Sequence, residues 1–100
     1  HALLRRRNGD VVLAHNDSKP PARTNLTVRV SCDDGQSWGE PLKVAEVMLP
    51  REGEEVWGRQ VSYPSLTETA DGTVVVVWTR IVLSDREQYG DIWSARVKVD

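Results

Sequence analysis

The chain has 100 residues, 39% of them hydrophobic and 28% charged, the composition of one small globular unit. A formal net charge of -2 gives no bulk electrostatic basis for binding nucleic acid or an anionic membrane. No apolar run approaches the ~20 residues of a helical membrane span, and a single cysteine, Cys32, leaves neither an internal disulfide nor a multi-cysteine metal site.

From His1 to Arg7 the basic residues follow the apolar ones, the reverse of a signal peptide, so the chain is expected to begin in mid-fold. Ala2 to Arg6 and Val11 to Asn16 flank Asn8-Gly9-Asp10. Asn-Gly predicts a hairpin turn because both positions tolerate positive φ. Asp17 to Ala22, with Pro20-Pro21, predicts a loop, since proline donates no backbone hydrogen bond. Leu26, Val28 and Val30 then alternate with Thr27, Arg29 and Ser31, the period of a half-buried strand.

A turn is expected at Asp33-Asp34-Gly35 and a short strand around Pro41 to Val47. Pro50 to Arg59, rich in charge and containing Glu52-Gly53-Glu54-Glu55, predicts a solvated connection. Tyr63 to Thr69 predicts the next strand, turning at Asp71-Gly72 into Thr73 to Arg80. The continuous run Val74 to Trp78 suits a strand covered on both faces. A polar loop from Ser84 to Asp91 precedes a final alternation of Trp93, Ala95, Val97 and Val99 with Ser94, Arg96 and Lys98. The whole is all-β, with about seven strands and no amphipathic helix.

The hairpins at Asn8-Gly9-Asp10-Val11-Val12 and Ala70-Asp71-Gly72-Thr73-Val74 lie about sixty positions apart, and each leads through a loop into an alternating strand. Two such units in tandem predict neighbouring blades of a β-propeller, whose sheets cover one another's faces. Residues 1–58 would form the penultimate blade and residues 59–100 the final one, its outer strand missing. A sandwich is the rival architecture.

Ser31-Cys32-Asp33-Asp34-Gly35-Gln36-Ser37-Trp38 matches the Asp-box, in which Ser or Thr, Asp, Gly and an aromatic recur at fixed spacing. The logic is local. Asp33 can accept backbone N–H groups across the turn, Gly35 supplies positive φ, and Trp38 packs beneath. The box is a turn device, so Asp33 and Asp34 are not expected to be catalytic, and they are too local for a Ca²⁺ loop. Cys32 is expected to be a small, semi-buried residue.

The flanks resemble the sialidase (neuraminidase) superfamily, a six-bladed propeller with Asp-boxes (BNR repeats). The strand Asn25 to Ser31 resembles the one before a late Asp-box, with Arg23 eight residues ahead of Ser31. Leu13-Ala14-His15-Asn16 resembles an apolar strand entering a proline-containing loop. Tyr63-Pro64-Ser65-Leu66 followed by Ala70-Asp71-Gly72-Thr73 resembles the segment opened by the family's catalytic tyrosine.

The resemblance implies a retaining exo-α-sialidase. Arg23 would grip the substrate carboxylate, which a guanidinium does with two parallel hydrogen bonds. Tyr63 would be the nucleophile, since a neutral phenol avoids repulsion with that carboxylate but needs a base to become reactive. The resemblance implies a sialylated or other glycan as partner, no cofactor, and a secreted or periplasmic setting. The sequons Asn16-Asp17-Ser18 and Asn25-Leu26-Thr27 are too short to bear on that setting. With acid and activating base expected in earlier blades, the chain alone is expected to be inactive, and its open blade edges to favour association.

Two positions depart from the pattern. Trp78-Thr79 stands where the family places Tyr-Glu, whose glutamate braces the arginine cluster, and Pro64 replaces the serine after the tyrosine. A non-catalytic Asp-box propeller binding glycan or protein, or a propeller hydrolase for another sugar, are the alternatives. His1 and His15 form no metal-ligand spacing. Trp57, Trp78 and Trp93 suit sugar stacking or, more commonly, core and inter-blade packing.

Overall fold

The computed structural model describes residues 1–18, 23–46, 59–83 and 88–98. The expectations placed on Pro20-Pro21, on Glu52 to Glu55 and on Trp57 fall outside these residues. Strands β1 (Ala2–Arg5), β2 (Val11–Asn16), β3 (Asn25–Ser31) and β4 (Leu42–Glu46) form one antiparallel sheet in sequence order. Strands β5 (Arg59–Glu68), β6 (Val74–Leu83) and β7 (Gln88–Val97) form a second, three-stranded one. These are the two blade-like sheets expected, the second without a fourth strand among the described residues.

Three boundaries differ from expectation. β5 begins at Arg59 rather than Tyr63, β6 runs on to Leu83, and β7 begins at Gln88 inside the expected loop. One cause serves all three. Pairing continues from Arg59↔Val82 through Arg80↔Asp91 to Leu83↔Gln88, so ladder hydrogen bonds hold residues whose polarity suggested a loop.

The first turn also differs. Only Gly9, with φ of 98°, has positive φ there; Asn8 does not. The Gly9 N–H donates to the Arg6 carbonyl at 2.9 Å and the Arg6 N–H to Asp10 at 2.7 Å. That is a type I turn closed by a glycine bulge, a three-residue loop rather than a two-residue one. The turn at Thr69 to Thr73 repeats it, with Gly72 donating to Thr69 at 3.1 Å and Thr69 to Thr73 at 2.8 Å.

The sheets pack through β5, which lies against β1, β2 and β3. Val12, Ala14, Leu26 and Val28 from the first sheet meet Val61, Val74, Val76 and Trp78 from the second in one buried core. Each buried aliphatic side chain contributes about 1.5–3 kcal/mol relative to exposure. Within the valine run only alternate residues are buried; Val75 and Val77 are half-buried. Among the described residues, one face of β6 has a sheet packed on it and the other does not. Antiparallel order places the turns at 6–10, 31–39 and 69–73 at one end of the sheets. The end of β2, the start of β3 and residues Arg23 and Thr24 lie at the other.

Candidate functional site

The Asp-box occupies the first of these ends, and its network is internal. The buried Ser31 hydroxyl donates to Asp33 Oδ1 at 2.8 Å and accepts the Gly35 N–H at 2.8 Å. Asp33 also accepts the Ser37 N–H at 2.8 Å and the Ser37 hydroxyl. The Ser37 hydroxyl, the Ser37 N–H and the Ser31 hydroxyl together hold the Asp33 carboxyl down at about 2. Gly35 has φ of 88°, and a Cβ there would lie 3.9 Å from the Trp38 ring, so the half-buried indole does pack beneath the turn. Asp34, also at positive φ, pairs with Arg5. Cys32 is exposed rather than semi-buried, because the turn aims it outward, and the nearby Asp10 carboxylate pushes its thiol up.

The same end carries an inter-sheet latch. The buried Arg6 donates to the Gly72 carbonyl at 2.9 Å and to Glu68 at 3.3 Å. Glu68 also accepts the Arg7 N–H at 2.9 Å, which with the two guanidinium charges lowers its carboxyl against the opposing effect of desolvation. Nothing at this end resembles a catalytic arrangement. No cluster of His, Cys, Asp or Glu suited to a metal ion occurs among the described residues.

At the opposite end, Arg23 and Tyr63 come together. The Arg23 guanidinium carbon lies 5.4 Å from the centroid of the Tyr63 ring, within cation–π range. The backbone sets this contact. The Val61 N–H donates to the Arg23 carbonyl at 2.9 Å, and Asn16 Nδ2 donates to the Val61 carbonyl at 2.7 Å. The Ser18 hydroxyl accepts the N–H groups of Thr24 and Asn25, both at 3.1 Å, shaping the entry to β3 just after Arg23.

Tyr63 does not open its strand. It sits inside β5 at a bulge, where the register shifts between Ser62 and Ser65. Its φ of 55° is an uncommon conformation for a bulky residue, and its side chain is 65% exposed. Bulges re-aim side chains, and proline within a sheet is confined to edges, strand starts or bulges. Pro64 was therefore the signal in the sequence for the bulge, although it stood out there only as a replacement for serine.

Thr79 pairs with Ser62 across the ladder, so no carboxylate stands at the expected brace position. Among the described residues, Arg23 has no carboxylate partner and remains exposed. Trp78 belongs to the core, which removes it from the sugar-stacking candidates. His15 is a strand residue in β2 and accepts Arg29 Nε–H at 3.2 Å.

Residue type alone did not disclose the Arg80, Asp91 and Trp93 cluster at the same end of the second sheet. Arg80 donates to the two Asp91 oxygens at 3.1 and 2.9 Å, and its guanidinium carbon lies 4.8 Å from the Trp93 ring centroid. The Trp93 indole N–H donates to Asp91 at 2.9 Å. The Arg80 hydrogen bonds and, after desolvation acting the other way, that from Trp93 lower the Asp91 carboxyl. The pairing Arg80↔Asp91 was legible only once β7 was known to extend to Gln88.

Comparison with known proteins places this geometry in context. The sequence model of a family described as a BNR repeat-like domain matches residues 1–76, a span that includes the Asp-box, Arg23 and Tyr63. No curated protein matches the chain.

Proposed function

The chain belongs to the BNR repeat-like domain family, and from that premise we propose that it supplies part of the active site of a sialidase-like glycosidase. Residues 1–58 and 59–100 are assigned as two neighbouring blades of a six-bladed propeller. A single observation carries the assignment: an exposed arginine lies over the ring of a tyrosine that a strand bulge holds at positive φ.

The chemistry follows from substrate geometry. In an α-sialoside the carboxylate is a substituent of the anomeric carbon itself. A guanidinium that grips the carboxylate therefore brings the reacting carbon close to any group stacked against that guanidinium. Tyr63 is that group. Its oxygen would form the bond to the anomeric carbon while the glycosidic oxygen leaves with a proton from a general acid. Water would then cleave the tyrosyl glycoside, releasing the sugar and restoring the phenol. The acid and the base that deprotonates the phenol are assigned outside this chain.

A non-catalytic glycan-binding propeller is the second reading, and Thr79 favours it, because the arginine then lacks the bracing carboxylate. Hydrolysis of a fluorogenic sialoside by the protein with its complete site separates the two. Tyr63→Phe and Arg23→Ala should each lower the rate by orders of magnitude; near-wild-type rates for both would overturn the assignment. For the isolated chain the expected result is weak binding of methyl α-sialoside, lost in Arg23→Ala, with no turnover.

A further inference from the structure

Trp93 is a large aromatic side chain that is exposed outside the Arg23–Tyr63 site. It is 47% exposed, yet it is more constrained than a surface indole needs to be. Its N–H is bonded to Asp91, one face of the ring is capped by Arg80, and Arg80 is itself tied to both Asp91 oxygens. Two side chains, Arg80 from β6 and Asp91 from β7, thus hold one ring in one orientation. With Arg80 over one face, Trp93 still keeps 47% of its surface accessible.

Its position matters as much as its rigidity. Trp93 pairs directly with Trp78, and Trp78 sits opposite the Tyr63-Pro64 bulge. Trp93 and Tyr63 therefore lie at the same height on the second sheet, two interstrand spacings or about 10 Å apart along the backbone. Trp78 points into the inter-sheet core, so Trp93, directly opposite it, shares the face turned toward the first sheet. That sheet packs over β5, and Trp93 on β7 keeps 47% of its surface exposed.

We propose that Trp93, held by Arg80 and Asp91, is a stacking platform for a neutral pyranoside, receiving the sugar next to the one that Arg23 and Tyr63 bind. The inference extends the reading of Arg23 and Tyr63 given above and names the substrate side it leaves open. An indole whose N–H and cation-facing side are both occupied offers a ligand only its other π face. The C–H faces of a pyranose, weakly positive and apolar, match that surface. Because the ring is already ordered, binding loses little side-chain entropy. An anionic sugar gains nothing here, since Arg80 is already neutralised by Asp91.

The test is a titration of the chain with lactose, followed through the indole N–H resonances and assigned by substitution. The Trp93 resonance should move saturably with a Kd on the order of 1 mM or weaker. Trp93→Ala should abolish binding, Asp91→Asn should weaken it several-fold by freeing the ring, and Trp93→Phe should keep part of it. Arg23→Ala should leave lactose binding unchanged while removing methyl α-sialoside binding. An unmoved Trp93 resonance, or lactose binding that survives Trp93→Ala, overturns the platform. Lactose binding that persists while the sialoside fails to bind overturns the reading of Arg23 and leaves the platform standing.

Discussion

Replacing Ser31 by alanine tests whether the Asp-box turn is held by its buried hydroxyl. Ser31 is 1% exposed, and its hydroxyl is the acceptor at the centre of the turn. The Gly35 N–H, 2.8 Å from that oxygen, loses its acceptor, as does the more distant Asp33 N–H at 3.4 Å. An orphaned donor costs about 1–3 kcal/mol when buried, and the part-buried Gly35 N–H falls at the low end of that range. The third bond, to Asp33, ends on an exposed carboxylate that water can resolvate, so nothing is added for it. Alanine leaves only a small void, and the expected loss is about 1 kcal/mol.

Urea unfolding of the chain, followed by tryptophan fluorescence, should show this as a midpoint lowered by about 1 M with unchanged slope. Ser31→Thr, which keeps the hydroxyl and fits the motif, should recover most of the loss. A change in stability under about 0.5 kcal/mol for Ser31→Ala would refute the reasoning, because the turn would then not depend on the Ser31 hydroxyl.

Three further outcomes follow from the same geometry. The Asp33 carboxyl, at about 2 against an ordinary 3.8, contributes stability that is present above 3.8 and lost as pH falls toward 2. Its resonance should titrate accordingly, and Ser37→Ala should raise the midpoint; a wild-type midpoint of 3.8 would contradict the network. Asp71, held at about 2 first by the Thr69 hydroxyl and then by the Thr73 N–H, should behave likewise, rising in Thr69→Val. At the inter-sheet latch, Glu68→Gln should lower the thermal midpoint more than Arg7→Ala. It takes the carboxylate from the buried Arg6, whereas Arg7 is largely exposed; equal shifts would count against the latch.

Much of the fold is legible in the residues alone. Leu26, Val28 and Val30 alternate because one face of β3 meets the core, and Gly9 and Gly72 mark turns that need positive φ. The Asp-box was legible for a further reason: its bonds join residues within a few positions of one another, so the motif carries its own geometry. The extent of β5 to β7 was not legible. Asp91 and Gln88 look like loop residues until the ladder to Arg80 and Leu83 overrides their polarity.

The candidate site divides along the same line. Local sequence chemistry determined the turns, the alternating strands and the repeat of two hairpins, because those depend on contacts between near neighbours. Only the tertiary structure decided that Arg23 lies over Tyr63, that Asn16 ties β2 to Val61, and that Arg80 and Asp91 hold Trp93. The Arg23–Tyr63 and Asn16–Val61 contacts cross from one sheet to the other, and the Trp93 cluster depends on β6–β7 register. Residue types and spacing along a chain do not encode either until the sheets have packed.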